Sequence, residues 1–312
     1  MRFHQQLLKF QICCILFLCL LAGNGIAQTS ALADSKYDSL LAIKQEKALA
    51  RLSQEDTVSL SPFWPNIQPP LFFANIRNNI TYPAKINQGH STNFCGYAAM
   101  THLLLKYHPE TYLDHILSLY RTGKATLEKK ELTPSERVRN AAGTLKNKGE
   151  LDVLHADQLW FLTLPDQFKG YMNIVDHKYQ PGDENKIWAG TNLAKFNRML
   201  KDFTNDHLTM KGSDFIRPSL KDFYTYLAGQ LPKGVVLLFV NSKFLYPHKY
   251  TLFKLRAPTH FIVLYEMYQV GELIEIKYWD YGLKTEQLIT KKRLRKLIFG
   301  ITTITKTVDE KR

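Results

Sequence analysis

Apolar residues recur every three to four positions from Cys95 to about residue 227, then at every second position or continuously from Val235 onward. The first period predicts helices over Gly96–Tyr107, Thr111–Thr122, Pro134–Lys148, Ala156–Leu164, Leu193–Phe203 and Ser219–Leu227, because a 3.6-residue turn gathers such positions on one face. The second predicts strands. Val235–Val240 is an unbroken apolar run, His260–Tyr268 and Leu273–Trp279 alternate, and Gln287–Ile289 and Leu297–Ile304 complete the set. Gln269, Val270 and Gly271 read as a three-residue hairpin loop with Gly271 in the left-handed position. Helices followed by strands predict an α+β domain built on an antiparallel sheet.

Upstream of Cys95 the pattern is different. Arg2 and Lys9 precede the apolar run Ile12–Ala22, and Gly25 and Ala27 sit where an export peptidase needs small residues. Residues 1–27 therefore read as a signal peptide, with the mature protein exported to the periplasm or the exterior. No later stretch is long and apolar enough to span a bilayer. Residues 28–60 are polar, with one weakly amphipathic stretch from Tyr37 to Leu52, and read as a linker or propeptide. Prolines at 62, 65, 69 and 70 among Phe63, Trp64, Phe72 and Phe73 predict an extended entry into a domain spanning 61–312.

The formal charge is +13, falling to +11 once Arg2 and Lys9 leave with the signal. A basic exported protein meets polyanionic surfaces such as peptidoglycan, which concerns encounter and not chemistry. Of four cysteines, Cys13, Cys14 and Cys19 lie in the signal, leaving Cys95 alone. Without a disulfide, stability must come from a core. His102, His108 and His115 are spaced six and seven apart, which does not place two imidazoles on one helix face, so no metal or other cofactor is expected. Thr122–Thr126 lacks the upstream glycine of a phosphate loop. The run Lys291–Lys296 reads as a solvated basic flank, and no nucleic-acid partner is expected.

Cys95 falls where a polar, turn-prone stretch runs into an apolar helix, a position that stabilises a thiolate through the helix dipole and free N–H groups. A thiol nucleophile needs a base, and the base needs an orienting group. With the three-residue loop, Tyr268 pairs with Glu272, and His260 falls opposite Asp280 on one sheet face with Cβ atoms ~4.5–5.5 Å apart. The oxyanion needs donors. The Cys95 N–H is one, and the side-chain amide of Gln88 is the first choice for a second, with Asn93 and Asn87 behind it.

Gln88, the stretch Asn93-Phe-Cys95-Gly-Tyr-Ala-Ala99, His260-Phe-Ile-Val-Leu264 and Trp279-Asp280-Tyr-Gly282 resemble the papain-like cysteine peptidase superfamily in type and in order. The bacterial branch related to bacteriocin-processing peptidases, which commonly uses Asp as third member, is the most similar. The resemblance implies a helical lobe whose central helix opens with the nucleophile, packed on an antiparallel sheet carrying His and Asp. It also implies cleavage of an amide bond in a protein or peptide through an acyl-enzyme. The sequence departs from the pattern in three places. Gln88 lies seven residues before Cys95, alanines stand where an aromatic often follows Cys-Gly, and about 108–228 exceeds a minimal peptidase and reads as a helical insertion. Peptide stems of peptidoglycan are the alternative substrate, and a silent surface-binding module is the alternative outside enzymes.

Overall fold

The computed structural model of the protein describes residues 39–89, 92–145, 153–168, 177–246 and 258–305. The stretch read as a signal peptide and most of the polar segment lie outside the described residues. The chain divides into two compact units, one through Lys47 and one over Ala48–Arg312; of the first, residues 39–47 are described, and they are helical.

Residues 48–52 form α1 of the larger unit. In the larger unit Ala48 and Leu52 are buried in the core, and Arg51 and Arg121 pair with Asp114 and Glu55. The amphipathic stretch read as a linker or propeptide ends on buried apolar residues, and the larger unit starts there. Beyond it, Ser61 donates to Tyr120 O, and Trp64 Nε1 donates to Leu119 O at 2.7 Å. The prolines at 69 and 70 do not extend the chain. They open α2 (Pro69–Thr81), where a missing N–H costs nothing because the first turn has no acceptor for it.

The remaining elements are, in order, α3 (Cys95–Tyr107), α4 (Pro109–Thr122), a two-residue ladder of β1 (Ala125–Thr126) with β2 (Glu131–Leu132), α5 (Glu136–Ala141), α6 (His155–Gln167), α7 (Leu193–Phe203), β3 (His207–Gly212), α8 (Phe223–Gln230), β4 (Val235–Val240), α9 (Ser242–Leu245), β5 (His260–Val270), β6 (Leu273–Asp280), β7 (Leu283–Thr290), α10 (Lys291–Leu297) and β8 (Ile298–Thr305). The fold is α+β, with a six-stranded antiparallel sheet in the order β3-β8-β4-β5-β6-β7. β3 interrupts the stretch read as helical. It is an edge strand with no buried residue, so it carries no apolar alternation.

Helices cover both faces of the sheet. Leu237, Phe239, Phe261, Val263 and Trp279 pack with α2, α3, α4, α6 and α7, and Val236, Leu238, Ile262, Leu264, Ile276 and Tyr278 pack with α8 and α10. Phe196, Phe261 and Phe239 stack in series at 4.4 Å, each ring contributing roughly 1.5–3 kcal/mol by burial. No helix among the described residues is long and apolar enough to cross a membrane.

The β5–β6 hairpin departs from the expected register. Val270 pairs with Leu273, so the loop has two residues, and Gly271 (φ +60°) takes its first position, as a type II′ turn requires. Tyr268 therefore pairs with Glu275 and not with Glu272, and that three-residue shift would send Asp280 to the face opposite His260. A β-bulge at Tyr265 adds a second shift and restores the face, so that Leu264 pairs with Tyr278 and Val263 with Trp279. His260 and Asp280 end up as diagonal neighbours and not directly opposed.

The bulge residue also ties the sheet to α3. Tyr265 Oη lies 2.6 Å from His102 Nε2, while His102 Nδ1 lies 3.0 Å from Pro83 O. A carbonyl can only accept, so His102 carries its proton on Nδ1 and accepts from Tyr265 at Nε2. The ring stacks on Trp279 at 4.8 Å. Burial pushes its pKa down to about 4. The unfolded imidazole takes a proton near pH 6.5, so stability declines as pH falls from 6.5 towards 4, by roughly 3 kcal/mol from this group. Urea unfolding at pH 7 and pH 4.5 is expected to show a smaller acid loss in His102→Gln than in the wild type. An equal loss in both would exclude His102 as the source.

Candidate functional site

Cys95 opens α3, and Asn93, two residues before it, is anchored from a distant loop. Asn93 N donates to Glu184 O at 2.8 Å, and Asn93 Nδ2 donates to Lys186 O at 2.9 Å. Gly96 is there for space, since a Cβ would stand 2.9 Å from Thr191 Cβ. The thiol is 7 % exposed, and Sγ lies 3.8 Å from Thr259 O. The expected thiolate is not favoured in this closed site. Burial raises the thiol pKa to about 11, the N–H groups of Phe261, Gly96 and Cys95 itself pull it back, and the nearby Asp280 pushes it up.

His260 and Asp280 are both buried at one end of the sheet, with Nε2 2.5 Å from Oδ1. This leaves Nδ1 as the ring nitrogen able to take a proton. Burial lowers His260 to about 3 and raises Asp280 to about 8, the latter opposed by the Tyr281 N–H. The two titrate as a pair. Between those values the pair carries two protons, and above about pH 8 it carries one, on Nε2, with Nδ1 open.

The structure thus brings His260 and Asp280 into contact. It seats Cys95 against the backbone on either side of His260, at Thr259 and Phe261. Among the described residues Cys95 and His260 share no hydrogen bond. By strand alternation His260 and Asp280 belong with Ile262, Leu264 and Tyr278, on the face covered by α8 and α10, whereas α3 packs on the other face. The thiol meets them only at the end of the sheet.

The turn from β6 to β7 closes the site. Asp280 pairs with Leu283, and Tyr281 (φ +47°) and Gly282 (φ +79°) make a turn with two left-handed residues, the type I′ pattern. Tyr281 is the one non-glycine residue with positive φ among the described residues. Its ring lies over the His260 imidazole at 4.7 Å and 15°. A Cβ on Gly282 would stand 2.9 Å from Lys85 O, so the turn nests against the segment leading to Gln88.

Gln88 is buried, and its Nε2 donates to Thr92 O at 3.3 Å. Asn87 accepts from Gly89 N at 2.9 Å, and the Asn93 amide is engaged with Lys186 as above, so both are braces of the loop. His102 is a core strut and His115 packs edge-on to Phe203, 6.1 Å away. The basic run forms α10. Lys291, Lys292, Arg295 and Lys296 are exposed, while Arg293 donates to Phe244 O and Leu245 O.

Two residues of the site escaped sequence reasoning. Tyr281 had a signal, since Asp-Tyr-Gly between alternating stretches is a turn. Tyr246, whose hydroxyl donates to Asp280 Oδ2, had none. The chain matches no family model, no curated protein and no solved structure.

Proposed function

We propose that this protein is an exported, papain-like cysteine hydrolase that cleaves an amide bond in a protein or peptide. The observation that carries the reading is the buried His260–Asp280 pair whose open nitrogen, Nδ1, lies on the residue flanked by the two backbone groups that hold the Cys95 sulfur. Asp280 accepts from Nε2–H and fixes the tautomer, and Nδ1 takes the Cys95 proton as sulfur bonds to the carbonyl carbon. The negative oxygen is held by the Cys95 N–H and by Gln88, one of whose amide hydrogens is free of Thr92. The carbon–nitrogen bond breaks, the proton passes from His260 to the leaving amine, and water then hydrolyses the thioester, restoring the thiol.

The burial of Cys95 and its raised pKa favour a second reading, a silent module that binds a polyanionic surface such as peptidoglycan. Incubation with a peptide library and with purified peptidoglycan separates the readings. Hydrolysis dependent on Cys95 and His260 supports the enzyme, with release of soluble wall fragments pointing to stem peptides. Wall binding unchanged in Cys95→Ala, with no cleavage, supports the module.

A further inference from the structure

The proposed chemistry uses one oxygen of Asp280. The other, Oδ2, accepts a hydrogen bond from the Tyr246 hydroxyl. Tyr246 directly follows α9, a four-residue helix whose start is capped by the Asn241 side chain. Its far end is fixed from two further elements. Gln287 of β7 donates to Leu245 O at 2.8 Å, and Arg293 of α10 donates from Nε to Phe244 O at 2.7 Å and from Nη2 to Leu245 O at 3.3 Å. The Tyr246 ring packs on the core beneath. Three elements thus aim one hydroxyl at one buried carboxylate.

We propose that Tyr246 is a positioning residue: its hydroxyl favours the ionised form of the Asp280 carboxyl against the burial that opposes it, and turns the group so that Oδ1 meets His260 Nε2. The consequence for catalysis rests on the cysteine-hydrolase reading, but the first effect is on the Asp280–His260 pair itself. Burial favours the neutral carboxyl, and a donor to the charged form opposes that. The other titratable groups facing Asp280 among the described residues are Cys95 of α3, His260 of β5 and Tyr281 of the turn; Arg293 acts on Tyr278, the next but one along β6.

The test is an NMR titration of the His260 ring nitrogens in the full chain, wild type and Tyr246→Phe, with iodoacetamide rates at Cys95 measured beside it. Phenylalanine keeps the packing and removes only the donor, and melting checks that both proteins fold. The titration of the pair is expected to move up by about one unit in Tyr246→Phe, with Cys95 alkylation at pH 8 slowed about fivefold. An unmoved titration overturns the proposal whatever Cys95 does. A moved titration with a Cys95 that is inert in the wild type sustains Tyr246 as the positioning residue of the pair and removes the nucleophile reading instead.

Discussion

Cys95→Ala is expected to lower hydrolysis of any substrate this chain turns over by on the order of 10⁴-fold or more, because the proposed mechanism forms its acyl-enzyme on the Cys95 sulfur. The same change costs only about 1 kcal/mol of stability, since alanine leaves a void no larger than a sulfur atom in a well-packed site. Thermal melting and hydrolysis measured on one preparation separate the two effects. A variant that melts normally and still cleaves would remove Cys95 from the chemistry.

The second large effect concerns Asp280. Burial raises its carboxyl to about 8, so the pair loses its proton, and Nδ1 becomes a base, as pH rises through about 8. Activity is expected to climb over that window, the opposite of a carboxylate held ionised at neutral pH. Asp280→Asn has nothing to ionise there and is expected to flatten the limb while its amide still orients the ring. Asp280→Ala removes the orientation as well and is expected to cost about 100-fold in rate near pH 9. Rates from pH 6 to 10 for the three proteins check both outcomes; a limb near pH 8 that persists in Asp280→Asn would assign it to another group.

Much of the sheet was legible because its strands are long and apolar. β4 falls on Val235–Val240 as expected, and α7 on Leu193–Phe203. The His260–Asp280 pairing was legible for a less direct reason. The loop is shorter and lies further along the chain than expected, which moves the pairing by three, and the bulge at Tyr265 takes one back, so the net shift is even and the two residues share a face although the residue-by-residue pairing differs. Nothing in Leu264-Tyr265-Glu266 marks a bulge, because its stabilisation comes from His102, 163 positions away along the chain.

Proline at 69 and 70 misled because the same residue ends one helix and opens another, and only the partners of α2 decide which. The start of α3 was readable from local polarity, but the thiol's environment was not. A helix N-terminus lowers a thiol's pKa, while burial raises it, and the groups against the thiol, Thr259 and Phe261, arrive from elsewhere in the chain. Tyr246 is invisible for the same reason, since an aromatic residue after a four-residue helix has no period to declare it.

The central claim is that His260 serves Cys95 as its base, and the most direct measurement is the rate of iodoacetamide alkylation at Cys95 from pH 5 to 11. Mass spectrometry resolves Cys95 from the other cysteines, and His260→Ala is measured beside the wild type. The account predicts a wild-type rate that rises through about pH 8 and a His260→Ala rate that stays low until the thiol itself ionises near pH 11. Coincident profiles in the two proteins would contradict it.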